Sequence, residues 1–322
     1  KIESVIMAVF TVIEKKEIED LLLNYEIGTI KSFEGILEGV ENTNYKIQTS
    51  KNKFVLTIFE KRIDKEDLPF FINLQKHLAN KNVQCPIPVP NKKGEFIQNI
   101  KDKKCVIMSF LEGNNQIKNK NKDHCFEVGK LLGKLHQSAE DFNHKRQNYL
   151  NLKKLNEIAL KCSKQKQDLY SDLIKSIENE ISYISNNYPK KLPKGIIHGD
   201  IFMDNVFFNN NKISGIIDFY FACIDYYIYD LSICINAWCF SKNGIFDNEK
   251  FKAIILGYET HRKINKEEKD NLNIILRLAA VRILVTRLHD LLFHEPDTYV
   301  APKDPIEFYE ILSFHKNNIN II

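Results

Sequence analysis

The chain has 322 residues, 43% of them hydrophobic and 27% charged, with a formal net charge of +4. That length exceeds the usual single core, so two lobes are expected, and the composition suits a globular protein rather than a disordered or fibrous one. The mild positive balance comes from scattered lysines, which excludes a nucleic-acid footprint; the basic stretch Lys118 to Lys122 reads as a solvated loop.

Ile6 to Ile13 is apolar but too short to span a bilayer, and Glu14-Lys15-Lys16-Glu17 follows at once, so no membrane segment is expected there. Residues 14–25 carry a helical pattern with Ile18, Leu21, Leu22 and Tyr25 on one side. Strand-forming segments follow at 33–37, 43–49 and 53–59, then a helix from Asp64 to Asn80. Cys85-Pro-Ile-Pro-Val-Pro cannot be helical and should run extended into two more strands, near 94–98 and 104–109. After Glu112-Gly113 the pattern turns helical, over 122–142, 151–168, 170–187, 246–260, 266–293 and 304–316, interrupted by one hairpin. The expected class is α+β: a small β-rich lobe over 1–110 and a larger, mostly α-helical lobe over 111–322. Seven cysteines without a Cys-x-x-Cys pair or zinc spacing read as reduced, partly buried thiols of a cytoplasmic protein.

The chemistry concentrates in His198-Gly199-Asp200-Ile201-Phe202-Met203-Asp204-Asn205 and the segment after it. Val206 to Phe208 and Ile213 to Ile217 are apolar runs around the polar break 209–212, which is a β-hairpin pattern. In such a hairpin Asn205 enters the first strand at the open end where Asp218 leaves the second, and their side chains would lie about 5 Å apart. An amide and a carboxylate converging beside a cleft suit Mg²⁺, which takes few protein oxygens and fills the rest with water and phosphate. Asp200 would accept the proton of an incoming hydroxyl. Short polar residues also serve as turn formers and strand-end caps, but the spacing and the hairpin together favour a phosphoryl-transfer site.

His-Gly-Asp-x-x-x-x-Asn followed by Ile217-Asp218-Phe219 resembles the aminoglycoside phosphotransferase and choline kinase superfamily, whose fold is protein kinase-like and two-lobed. Within it the likeness is nearest to the bacterial homoserine kinases of that fold. It is carried by Gly39 to Tyr45, Phe54 to Arg62, Asp67 to Phe71, Ile217 to Cys223, Ala237 to Phe240 and Pro302 to Glu307, and runs from about Met7 to the C-terminus. The resemblance implies transfer of the ATP γ-phosphoryl group to the side-chain hydroxyl of L-homoserine, giving O-phosphohomoserine for threonine biosynthesis. It also implies ATP and Mg²⁺ as cofactors, no nucleic-acid or membrane partner, and a monomer or homodimer. Alternatives are a choline, ethanolamine or aminoglycoside kinase, or an inactive pseudokinase; retention of Asp200, Asn205 and Asp218 argues against the last.

The 105–113 segment reads as an edge strand entering a hinge, where main-chain groups of Ser109, Phe110 and Leu111 would meet adenine. Gly35 to Tyr45 is the candidate phosphate cover, with Gly39 permitting close approach and Asn42 and Asn44 supplying amides; a plain hairpin loop is the competing reading. The kinase third-strand cation is replaced by Thr57, and Lys61, on the same strand face, is the candidate substitute. An amino-acid acceptor needs partners for its ammonium, for which Asp204, Asp225 or Asp230 are available, and for its carboxylate. Of Arg277, Arg282 and Arg287 on the long helix, Arg282 is favoured for the carboxylate because it shares a face with His289. His198 is expected to brace the catalytic loop, and Trp238 to belong to the core.

Overall fold

The computed structural model describes residues 10–37, 42–60, 64–117, 120–165, 168–241, 243–294 and 301–319. The chain forms two compact units, Lys1–Glu112 with Ser214–Tyr220, and Gly113–Ile213 with Phe221–Ile322.

The first unit is built on a five-stranded antiparallel sheet of β1 (Ile30–Ile36), β2 (Thr43–Thr49), β3 (Lys53–Ile58), β4 (Ile97–Ile100) and β5 (Lys103–Ser109), in the order β1-β2-β3-β5-β4. Alternation decides its faces. In β2, Thr43, Tyr45, Ile47 and Thr49 are buried while the residues between them are half-exposed. Tyr45 and Ile47 join Leu56, Ile58 and Ile107 in a core that takes Ile18, Leu21 and Leu22 from α1 (Lys15–Leu22). Full burial of each such aliphatic side chain contributes about 1.5–3 kcal/mol. The second cluster takes Leu68 and Ile72 from α2 (Leu68–Asn80), packed with Val106 and Met108; Pro69 fits the first turn of α2, where its missing N–H is not needed.

One expectation fails here. The strand before the hinge is not an edge: β5 lies between β3 and β4, and the proline-rich segment continues the pairing beyond β4, with Val89 N donating to Ile107 O at 2.8 Å and Ser109 N to Ile87 O at 2.8 Å. Prolines that exclude helix leave their non-proline neighbours free to pair in this extended segment.

The second unit is mostly helical: α3 (Lys122–Ser138), α4 (Leu152–Ser163), α5 (Ser171–Asn187), α6 (Tyr227–Trp238), α7 (Asn248–Tyr258), α8 (Lys266–Asp270), α9 (Leu272–Leu292) and α10 (Ile306–Asn317). Asn121 caps α3 by accepting from the amides of Asp123 and His124. A two-stranded antiparallel sheet joins β6 (Lys194–Ile197) to β9 (Cys223–Tyr226). The expected hairpin exists as β7 (Val206–Asn209) and β8 (Lys212–Ile216), turning at Asn210 with φ 56°.

Helix α6 escapes the periodicity reading because it is buried nearly all round and so has no polar face to mark a 3.6-residue repeat. The long helix expected over 266–293 breaks at Asn271, which closes α8 and opens α9. All seven cysteines are free thiols and buried. Among the described residues no helix is long and apolar enough to cross a membrane.

Candidate active site

In the second unit the chain leaves β6 through His198-Gly199-Asp200. Gly199 sits at φ +77°, and a Cβ built there would lie 2.9 Å from Phe221 O, so both backbone and space demand glycine. The loop is held from two helices. From α6, the fully buried Asp230 accepts the amides of His198 (Oδ2, 2.7 Å) and Gly199 (Oδ1, 2.8 Å). Its Oδ2 also lies 2.9 Å from Nε2 of the buried His136, whose Nδ1 lies 2.8 Å from the Tyr258 hydroxyl. Burial alone would raise the Asp230 carboxyl, but hydrogen bonding and charge at His136, then His198, outweigh it and leave the group below its ordinary value. Burial in turn lowers His136, against the pull of the Asp230 carboxylate; which ring nitrogen carries the proton is assigned from these partners.

From α9, Arg282 donates through Nη1 to Gly199 O, and its Nη2 lies 3.9 Å from Asp200 Oδ1. Its guanidinium also sits 4.9 Å from the Phe221 ring centroid. Trp238 adds a bond from its indole N–H to Ile201 O at 2.9 Å and is itself fully buried. Asn205, on a 3₁₀ turn before β7, donates Nδ2 to both the main-chain oxygen and Oδ2 of Asp200, each at 2.9 Å. The acid and the amide expected from the motif are therefore in direct contact. His198 is fully buried, and its Nδ1 accepts the Asp200 amide at 3.2 Å. Asp218 belongs to the first unit, just past β8, in left-handed backbone at φ 66°.

The remaining sequence candidates separate. The exposed Asp204 pairs with Lys303 at 3.2 Å. Asp225, on β9, accepts from Asn148 at 2.7 Å and from the Tyr226 amide at 2.7 Å, and burial raises its carboxyl above the ordinary value. Asp230 is committed to the loop amides and is not placed for an acceptor ammonium. Arg277 and Arg287 are paired with Glu180 and Glu307, both at 2.6 Å. In the first unit, Asn42 Oδ1 accepts the Glu60 amide at 3.3 Å, and Asn44 Oδ1 accepts the Thr57 hydroxyl at 2.7 Å. Of the hinge residues, the amides of Ser109 and Phe110 are taken by Ile87 O and Lys53 O; among the described residues only Leu111 of the three keeps a main-chain N–H without a partner. Gly39 and Lys61 lie outside the described residues.

Sequence reasoning did not single out Arg146, Asn148 or Tyr149, and gave Asp230 the wrong task. A signal for Asp230 was present: a lone acid inside Tyr227-Ile228-Tyr229-Asp230-Leu231-Ser232-Ile233 must be buried, and a buried carboxylate needs donors.

A carboxylate fixed by an amide five residues on, at the mouth of a hairpin, is the arrangement of a kinase-fold phosphotransferase. The phosphotransferase enzyme family matches residues 32–264, and the chain belongs to it. More narrowly, it is similar over its whole length to the homoserine kinase of Agrobacterium fabrum, at 41% identity over 315 residues covering 98% of each chain, and to that of Rhizobium meliloti, at 39% identity covering 96% of this chain and 95% of the relative. These likenesses place it among the homoserine kinases. In fold it is similar to spectinomycin phosphotransferase solved with ADP and spectinomycin (TM-score 0.71, 15% identity, 97% of each chain) and to choline kinase from Cryptosporidium parvum (TM-score 0.67, 16% identity, 95% and 96%).

Proposed function

We propose that this chain transfers the γ-phosphoryl group of ATP to the side-chain hydroxyl of L-homoserine, giving O-phospho-L-homoserine and ADP. The observation that carries the reading is the Asp200–Asn205 contact inside a loop pinned from α6 and α9, in a chain similar from end to end to homoserine kinases. Asp200 orients the acceptor hydroxyl and takes its proton as the oxygen attacks the γ-phosphorus and the bond to the ADP oxygen breaks. Alignment on a rigid loop supplies much of the rate, because little covalent chemistry is asked of the protein.

Asn205 and Asp218 are assigned to Mg²⁺, which when bound would neutralise charge on the phosphates. The amide fits that role: its Nδ2 is turned to Asp200, and among the described residues its Oδ1 accepts no hydrogen bond, leaving a hard oxygen for a cation. The pairing with Asp218 rests on the hairpin argument from sequence. At the hinge, the Leu111 amide is the group assigned to adenine. His198 braces the loop through Nδ1. Seven buried thiols without a disulfide suit a reducing compartment, and we place the enzyme in the cytoplasm.

The test is ADP release by the purified protein with ATP and Mg²⁺ across homoserine, choline, ethanolamine and kanamycin. Turnover with homoserine alone is expected. A higher kcat/KM on any of the other three would overturn the assignment.

A further inference from the structure

We infer that Arg146 is the residue that binds the carboxylate of the acceptor, a role that rests on the homoserine reading above. The hydroxyl must come within about 3 Å of Asp200 to give up its proton. Homoserine's carboxylate then lies within about 6 Å of that hydroxyl, the reach of its short carbon chain. An anion brought into a partly buried cleft needs a cation with matching geometry, and a guanidinium serves best.

Among the described residues of the second unit, Arg282 touches the catalytic loop, and Arg146 touches Ala222, the residue after the Phe221 that packs on that loop. Arg282 is 4% exposed and tied to Gly199 O, so it positions the loop from beneath. Arg146 is half-buried, and its setting is pre-organised. Its Nη1 donates to Ala222 O at 3.0 Å, and its guanidinium lies over Tyr149, 5.4 Å from the ring centroid. Tyr149 in turn stacks on Phe221 at 6.1 Å and 18°. Phe221 O abuts Gly199, so the carbonyl that fixes Arg146 belongs to the residue after the one packed against the catalytic loop.

The same segment handles the opposite charge. Ile224 N donates to Arg146 O at 2.7 Å, tying the segment to β9, and two residues on Asn148 donates to Asp225 at 2.7 Å. A guanidinium and a carboxylate set by one short stretch of chain match the zwitterion of an α-amino acid. A choline, ethanolamine or aminoglycoside acceptor brings a cation and no carboxylate, so Arg146 would oppose it.

The test compares homoserine with 3-aminopropan-1-ol, which lacks only the carboxylate, for the wild-type protein and for Arg146→Ala, Arg146→Gln and Arg146→Lys. Loss of a charge-assisted bond should raise KM for homoserine about 10- to 100-fold in Arg146→Ala and Arg146→Gln. KM for ATP should stay within about twofold and turnover of 3-aminopropan-1-ol should not fall, with Arg146→Lys intermediate for homoserine. An unchanged homoserine KM in all three variants would overturn the role, as would an equal loss for both acceptors, which marks a loop that only supports the fold. If the wild-type protein does not turn over homoserine at all, the substrate reading itself has failed, an outcome separate from either of these.

Discussion

Asp200 differs from the other acids near it in what touches it. Its carboxylate meets the Asn205 amide and lies near the Arg282 guanidinium, whereas Asp230 is enclosed by the amides it holds and Asp204 pairs with a surface lysine. Asp200→Asn should therefore lower kcat about 10²- to 10⁴-fold, with KM for ATP little changed; a loss of less than tenfold in steady-state turnover would remove it as the base. Asp225 carries a different cost. Burial, first, holds its folded-state carboxyl above the ordinary value, so the stability it allows is present below the unfolded pKa and is lost as pH rises through the folded one. Above the folded-state pKa the ionised group is a burden on the fold. Asp225→Asn should raise the thermal midpoint at pH 7.5 while weakening homoserine binding about tenfold or more if the carboxylate meets the ammonium. A lowered midpoint in a melting experiment would contradict the first half, and an unchanged homoserine KM the second.

The catalytic loop is an element held in a strained shape by its neighbours. Gly199 adopts a left-handed backbone while α6 supplies a carboxylate for two amides and α9 a guanidinium for a carbonyl. Gly199→Ala should cost about 1–3 kcal/mol from the backbone conformation alone, plus the crowding at Phe221 O, read from the urea midpoint. Asp230→Ala leaves the amides and His136 without their acceptor, and about 3–5 kcal/mol of lost stability is expected; wild-type stability in chemical denaturation would refute the anchoring role. The loop motif was legible because its residue types and spacing are fixed by the chemistry. Its anchors were not, because they lie 31 and 83 residues from the amide and carbonyl they hold. Helix α6 hides its boundaries in an unbroken apolar run, while the hairpin at 206–216 announced itself through a polar turn between two apolar strands.

For the molecule as a whole, the buried histidines set the response to acid. Burial lowers both His136 and His315, the latter from 6.5 to about 3, and His315 is fully enclosed with Nε2 2.8 Å from Asn236 Oδ1. Below pH 6.5 the unfolded chain takes up protons that the folded one refuses, so stability falls as pH drops toward 3. His315 contributes a slope of up to about 1.4 kcal/mol per pH unit in that window. His315→Gln should flatten the decline of the denaturation midpoint between pH 6 and 4 by about that amount, and an unaltered slope would show that His315 charges in the folded state. By itself the sequence pointed to the reaction class and the family, brought out Asp200 and Asn205 as candidates, and marked the five strands of the first sheet and the hairpin at 206–216. Those follow from local chemistry: spacing along a hairpin, alternation along a strand, and residue types that a phosphoryl transfer requires. Only the tertiary structure decided that the strand before the hinge is interior, that Asp230 and Arg282 hold the loop, and that the segment 146–148 is tied to β9 at Ile224 and Asp225. Each of those depends on segments far apart in the chain meeting through packing, and packing partners leave no periodic trace in either segment alone.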